Sequence, residues 1–262
     1  MPGQTYGMVL PRDSTVLILV CHPADRMDQV IAAIRMELKE KADPAIRESS
    51  KRFFKEEISC YGLKTADVMA IAKRYWKEVR SREKSDIFAL CEELYGSGYL
   101  EEAFIVSNWV PLLSDRFEPG DLMVFEHWID RWISNWAACD GFCNHTVGDF
   151  ITKYPDQVGV LKRWAVSPNR WMRRAACVSL IIPVKHGEFL SEVLELADLV
   201  LTDPEDMVQK GYGWLLKEAS RKHTPEVFAY VMKNRAVMPR TALRYAIELM
   251  PKELRSEAMK KG

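Results

Sequence analysis

The sequence predicts an all-α protein with the architecture of a curved α-solenoid made of helical-pair repeats. Apolar residues recur at helical spacing nearly throughout the chain from residue 27 onward, where convincing alternating strands do not appear. Breaks rich in Pro, Gly and polar residues interrupt this pattern at intervals typical of helix connections. A weak internal repeat accompanies the breaks, and together these three observations indicate the fold class.

The helical pattern and its breaks can be followed along the chain. The segment "MDQVIAAIRMELKEKAD" places on one helix face Val30, Ile31, Ile34 and Leu38. The segment "TADVMAIAKRYWKEVR" does the same with Val68, Ile71, Ala72 and Trp76. Breaks then recur at residues 61–65, 95–99, 117–121, 153–157, 167–170, 202–206 and 222–226.

The repeat appears when the chain is shifted by 36 residues, which lays Pro168 on Pro204 and Ala175 on Gly211. Two helices of such a unit cannot bury their apolar faces alone, so neighbouring units stack into a solenoid with one concave surface. A compact all-α bundle is the alternative.

The length of 262 residues and the 48% hydrophobic content suit one large domain or a continuous repeat array. We predict a single helical-repeat domain over residues 27–262, preceded by an extension of uncertain structure over residues 1–26. The apolar stretch "STVLILV" (Ser14–Val20) is far shorter than the roughly 20 residues that span a bilayer. We therefore expect a short strand or apolar tail there, neither membrane anchor nor secretion signal, and Met27 is a plausible alternative start.

Composition alone does not favour nucleic acid, because Lys+Arg and Asp+Glu both number 37. Only an uneven distribution of the basic residues would do so. Cysteine spacing lacks paired CxxC motifs and suits free thiols in the cytoplasm. Cys139, Cys143 and His145 lack a second ligand pair, so we interpret the two cysteines as core thiols and expect neither metal nor cofactor. The six cysteines are Cys21, Cys60, Cys91, Cys139, Cys143 and Cys177.

One segment carries an aromatic series that ends in an acid. Trp128, Trp132, Trp136 and Asp140 follow one another at steps of four residues. We interpret the first two tryptophans as core packing. Taken by itself, the aspartate would be a solvated surface carboxylate.

The geometry of this segment depends on where its helix begins. An unbroken helix over residues 121–140 would place all four residues in one slowly drifting stripe. If Ser134 or Asn135 caps a new helix, only Trp136 and Asp140 stay paired, one turn apart.

Two further segments concentrate positive charge at helical spacing. "SPNRWMRRAACVSL" places on one face Arg170 and Arg174. "MVQKGYGWLLKEASRK" aligns Lys210, Trp214, Lys217 and Arg221. Such a stripe is either a solvated face whose lysine stems cover an aromatic ring, or a surface on which cations meet phosphates.

The segments "SNWAACDGF", "WMRRAAC", "GYGWLLKE" and "YGLKT" together resemble the AlkD-like DNA glycosylases of the DNA alkylation repair family, over about residues 27–250. The resemblance implies a HEAT-like solenoid that wraps duplex DNA and hydrolyses the N-glycosidic bond of N3- and N7-alkylated purines. It also implies action without a pocket for an extruded base.

By the same resemblance, Asp140 matches the catalytic aspartate, and Arg174 matches an arginine near that carboxylate and the DNA backbone. Trp136 and Trp214 match the tryptophans that contact the deoxyribose of the lesion. The DNA-binding residues predicted from the resemblance and from the two cationic faces are Thr65, Arg170, Lys210, Lys217 and Arg221.

The chemistry expected of this set needs one carboxylate. A purine alkylated at N3 or N7 is cationic and leaves as a neutral base, so Asp140 would stabilise the oxocarbenium-like sugar and orient the attacking water. The expected partner is double-stranded DNA containing alkylated purines, bound by a monomer. The alternatives are a non-catalytic protein that binds branched or damaged DNA, and a protein-interaction scaffold, which would have an apolar concave groove.

Overall fold

The computed structural model describes the backbone of residues 23–260 and the side chains from Gln29 onward. Within this range the chain is helical, and its one β-type pairing is an isolated bridge between Ser59 and Tyr99. The stretch Ser14–Val20 lies outside the described residues, as does most of the predicted N-terminal extension.

The described chain contains short and medium helices joined by tight turns. In order, the α-helices are α1 (Pro23–Glu40), α2 (Pro44–Lys51), α3 (Thr65–Val79), α4 (Lys84–Gly96), α5 (Leu100–Trp109), α6 (Asp121–Trp132), α7 (Trp136–Phe142), α8 (Gly148–Lys153), α9 (Val160–Ala165), α10 (Arg170–Val178), α11 (Ile181–Lys185), α12 (Leu190–Leu199), α13 (Asp206–Ala219), α14 (Thr224–Asn234), α15 (Arg240–Ala246) and α16 (Lys252–Met259). Between them lie 3-10 segments at Val110–Arg116 and Pro155–Gly159 and a π-helical segment at Cys143–Val147.

The helices form two rows. In the first row α3, α5, α7, α10, α13 and α15 contact one another in succession, and they begin at residues 65, 100, 136, 170, 206 and 240, a step of 34 to 36 residues each. Helices α4, α6, α9, α12, α14 and α16 pack alongside as the second row. This order confirms the predicted repeat and the all-α solenoid, and it excludes the compact bundle. First-row neighbours are in more extensive contact than second-row neighbours, so the array curves toward the first row.

The core runs continuously through the repeats, from Val30 in α1 to Ala258 in α16. The two helix faces predicted from spacing are buried, except that Trp76 is half-buried against the core. Each repeat covers the apolar face of the next, so no single helix pair holds a complete core.

The segment "YGLKT" is a tight turn that sets the start of α3. Glu101 accepts hydrogen bonds from the backbone N–H groups of Tyr61 (3.0 Å), Gly62 (2.8 Å) and Leu63 (3.2 Å). Gly62 has a φ of +96°, and a Cβ there would lie 2.3 Å from a backbone oxygen, so only glycine fits. This turn places Thr65 at the first position of α3.

Among the described residues, Cys139 and Cys143 are fully buried free thiols, as predicted, and Cys21 lies outside the described range. Within the same part of the chain, no three His, Cys, Asp or Glu side chains come together as a metal site would require. None of the described helices combines the length and apolar character needed to cross a bilayer.

Candidate functional site

A new helix begins inside the tryptophan series. Ile133 is extended, and Asn135 caps α7 by accepting a hydrogen bond from the backbone N–H of Ala138 at 2.9 Å. The unbroken helix is therefore wrong, and the capped alternative is confirmed. Trp136 and Asp140 lie one turn apart on α7.

The two preceding tryptophans belong to α6. Trp128 is fully buried, as predicted for core packing, whereas Trp132 is only half-buried. Both indole N–H groups donate to the carboxylate of Glu92. Glu92 of α4 therefore accepts from both indole N–H groups, and neither indole needs a hydrogen-bond partner from α7.

Asp140 forms a bidentate ion pair with Arg174 of α10. The guanidinium donates from Nε to Oδ1 at 2.8 Å and from Nη2 to Oδ2 at 2.7 Å. The side chains are only 14% and 6% exposed, respectively. Arg174 also donates to the backbone carbonyl of Met207 in α13, which locks the guanidinium between two helices. Interpreting Asp140 as a solvated surface carboxylate is therefore wrong, because the carboxylate is held by a buried cation.

Burial and the ion pair act in opposite directions on the acid. Burial raises the pKa of the Asp140 carboxyl above its ordinary value, and the Arg174 charge opposes that rise. Burial would lower the pKa of Arg174, but Asp140 outweighs this effect and raises it. Because the guanidinium keeps its proton and makes two charge-assisted hydrogen bonds, Asp140 is ionised at neutral pH.

The ion pair opens onto a cavity of about 420 Å³ on the first row of helices. Successive first-row helices contribute to it, and so does the segment between α2 and α3. The cavity is lined by Phe53, Trp136, Asp140, Arg174, Met207, Lys210, Trp214 and Tyr245. The four predicted catalytic residues thus meet around one space, together with one predicted DNA-binding lysine.

The other predicted DNA-binding residues lie outside this cavity. Arg170 begins α10, one turn before Arg174, and Thr65 is exposed at the start of α3. Lys217 lies in the last turn of α13, and Arg221 lies just after that helix.

All four of the predicted DNA-binding cations already have anionic partners. Arg170 pairs with two glutamates, at 3.0 and 3.2 Å, and Lys210 pairs with Asp206 at 2.8 Å. Lys217 pairs with a glutamate of the next repeat at 2.8 Å, and Arg221 pairs at 2.5 Å with a glutamate three residues earlier, at the end of α13. The stripe is therefore balanced by carboxylates.

Sequence reasoning missed three lining residues, Phe53, Met207 and Tyr245. Phe53 had a signal, because adjacent phenylalanines stand among charges in "KRFFKEE" and the Phe53 side chain is 74% exposed. No feature of the sequence pointed to Tyr245, because its place in the cavity depends on how α15 packs against α13.

An α-solenoid that gathers an acid, a guanidinium and two indoles from successive repeats is the class of protein that this fold and site define. The sequence matches the family of DNA alkylation repair enzymes over residues 34–250. Since that match spans most of the chain, the protein belongs to this family. A role in DNA repair, with DNA as the partner, follows from the membership.

Solved structures share the fold at low sequence identity. A predicted DNA alkylation repair enzyme from Enterococcus faecalis superposes with a TM-score of 0.73 at 17% identity, covering 81% of this chain and 98% of that one. AlkD2 from Streptococcus mutans gives 0.60 at 17% identity, covering 85% and 98%. The smu.31 protein of Streptococcus mutans gives 0.55 at 18% identity, covering 84% and 98%. No curated protein matches the sequence.

Proposed function

We propose that the protein is a DNA glycosylase that hydrolyses the N-glycosidic bond of cationic N3- and N7-alkylated purines in duplex DNA. The observation that carries this proposal is the convergence of Trp136, Asp140, Arg174 and Trp214 on one cavity. An ion pair that served stability alone would not need two indoles beside it on the first-row face.

The lesion supplies part of the driving force. Its base carries a positive charge and departs as a neutral molecule, so no general acid is required. Positive charge develops on the deoxyribose as the bond from C1′ to nitrogen lengthens. A carboxylate fixed beside that carbon stabilises the charge without reorganising during the reaction.

Arg174 holds Asp140 in place and still leaves the carboxylate able to accept further hydrogen bonds. A carboxylate has about four lone-pair sites, and the guanidinium occupies two of them. The remaining sites can accept a hydrogen bond from the attacking water and turn it toward C1′. Trp136 and Trp214 would present the negative faces of their rings to the cationic sugar and base, an interaction of roughly 0.5–2 kcal/mol each.

The cavity is large enough to hold a small part of the substrate. About 420 Å³ lies within the range of roughly 300–1,000 Å³ typical of small-ligand sites. We propose that the deoxyribose of the lesion occupies it, with the neighbouring phosphates along α10 and α13.

The test is release of free base from duplex DNA that contains N7-methylguanine. We expect N7-methylguanine in the soluble fraction and an abasic site in the strand. Failure to release any methylated or bulkier cationic purine would reject the glycosylase. Binding of the same duplex without release would favour the non-catalytic alternative.

A further inference from the structure

The segment Phe53–Glu57, which we call the strap, crosses the site from the end of α2. The indole N–H of Trp136 donates to the backbone carbonyl of Phe53 at 3.2 Å. The ring of Phe54 stacks on the Trp136 indole, with centroids 5.5 Å apart and planes inclined by 23°. One face of an indole that the proposed reaction needs is therefore covered by the protein itself.

Two ion pairs hold the strap in this position. Lys55 pairs with Asp206 of α13 at 3.1 Å, but Lys55 is 71% exposed, so this pair contributes little. Glu56 pairs with Arg170 of α10 at 3.0 Å, and its side chain is only 13% exposed. The second ion pair is therefore the stronger tie.

Glu56 is also incompletely satisfied. Its Oε1 accepts from Arg170, whereas its Oε2 is buried without a hydrogen-bond partner. A buried carboxylate with one unmet oxygen depends on its single cation. If Arg170 turned to another anion, Glu56 would be left as an uncompensated charge in a poorly hydrated position.

A DNA backbone on the first-row face would create this competition. Arg170 precedes Arg174 by one helical turn, so a phosphate next to a sugar in the cavity would approach the Arg170 guanidinium. A phosphate can bind a guanidinium through two parallel hydrogen bonds, whereas Glu56 accepts only one hydrogen bond from Arg170.

We propose that the strap is a latch that the DNA backbone opens: a phosphate replaces Glu56 as the partner of Arg170, and the strap then withdraws Phe54 from Trp136. The indole becomes available only where DNA already lies along α10. This inference rests on the DNA-binding part of the proposed function and not on base release.

Two matched variants test the latch. E56Q removes the charge of one of the two glutamates that pair with Arg170. E57Q removes one negative charge from the adjacent position, where the glutamate is exposed and has no ion pair among the described residues. Both change the net charge of the strap equally, so any difference between them reports the Glu56–Arg170 contact.

We expect E56Q to accelerate amide hydrogen exchange of the strap in the free protein and E57Q to leave it unchanged. Because Arg170 is 36% exposed and keeps its second pair with Glu205, we expect the Glu56–Arg170 pair to contribute about 1 kcal/mol, which corresponds to about a fivefold change in affinity. E56Q should therefore bind undamaged duplex DNA about fivefold more tightly than E57Q, measured by fluorescence anisotropy with labelled DNA. Adding DNA to the unsubstituted protein should also accelerate exchange in the strap.

Equal affinity and equal exchange in the two variants would overturn the latch. So would weaker binding by E56Q, because Glu56 would then orient Arg170 toward DNA, and so would protection of the strap when DNA is added. Binding without base release would reject the glycosylase and leave the latch standing. If no variant binds duplex DNA, opening by phosphate fails together with DNA binding, while exchange in the free variants still decides whether Glu56 holds the strap.

Discussion

Replacing Asp140 by asparagine tests whether its carboxylate has a catalytic role or only a structural one. The substitution keeps the size of the side chain and one acceptor, but it removes the charge opposite Arg174. Since that guanidinium is 6% exposed, it stays buried beside a neutral amide. The change therefore affects both stability and the charge presented to the sugar.

The structure contains a matched control for the stability effect. Asp203 pairs with Arg173, the residue before Arg174, through bonds of 2.6 and 3.3 Å, and the Arg173 and Asp203 side chains are 15% and 6% exposed. This second pair is equally buried and bidentate but does not line the cavity. Asp203→Asn should therefore disturb folding as Asp140→Asn does, without touching the proposed reaction.

The expected magnitudes can be stated for both variants. Removing one partner of a buried ion pair costs about 3–5 kcal/mol, and asparagine keeps one acceptor, so we expect a loss of about 3 kcal/mol for each. For a chain of this size that loss lowers the melting temperature by roughly 6–12 °C. Only Asp140→Asn should also slow base release, by about 10²- to 10³-fold, the typical effect of removing one preorganised stabilising group.

The assay is single-turnover release of N7-methylguanine at a temperature at which calorimetry shows both variants to be folded. Equal losses of release in the two variants would refute the reasoning, because the loss would then follow stability. Full activity of Asp140→Asn would remove this residue from the mechanism.

Two further predictions concern proton binding and packing. Base release should fall as the pH is lowered, because the ionised form of Asp140 is the active one and its raised pKa brings protonation at a pH above the ordinary aspartate value of 3.8. After subtraction of spontaneous depurination, an acid limb at or below that value would contradict the burial argument. Gly213→Ala should destabilise the protein by about 1–3 kcal/mol, because the new Cβ would lie 2.7 Å from the Cβ of Tyr245 and 2.9 Å from the carbonyl oxygen of Ala242. Gly159→Ala, which meets no atom within 4 Å, is its control in thermal melts, and equal melting temperatures would count against this close approach of α13 and α15.

The fold was predictable from the sequence because each helix packs mainly against helices of its own repeat and of the adjacent repeats. Helical spacing identifies each buried face, and a repeat of about 36 residues places each first-row helix against the next one along the chain. The capped start of α7 was left open between two geometries, since Asn135 can cap a helix or continue one. Tertiary packing of Trp128 and Trp132 around Glu92 accompanies the break.

The site was predictable only in part. Trp136 and Asp140 are one turn apart, and a resemblance to known proteins supplied Arg174 and Trp214. The strap was not predictable, because Glu56 and its partner Arg170 are 114 positions apart. The stripe of cations also overstated free positive charge. Asp206 and Glu218 lie one turn from Lys210 and Arg221 and could have been anticipated, whereas the partners of Arg170 and Lys217 come from distant parts of the chain.

The repeat itself explains how distant residues come to share one cavity. Arg174 and Lys210 are separated by 36 positions, occupy equivalent places in α10 and α13, and both line the cavity. Gly211 follows Lys210 and lies against the Arg174 side chain, which passes it toward the Met207 carbonyl. Each stacked helix therefore adds its own groups to the cavity, and the distance between the acid and the second indole is set by the interfaces between repeats. The strap is the part of the site that lies outside this stack, which is why we place the moving element there and the chemistry on the helices.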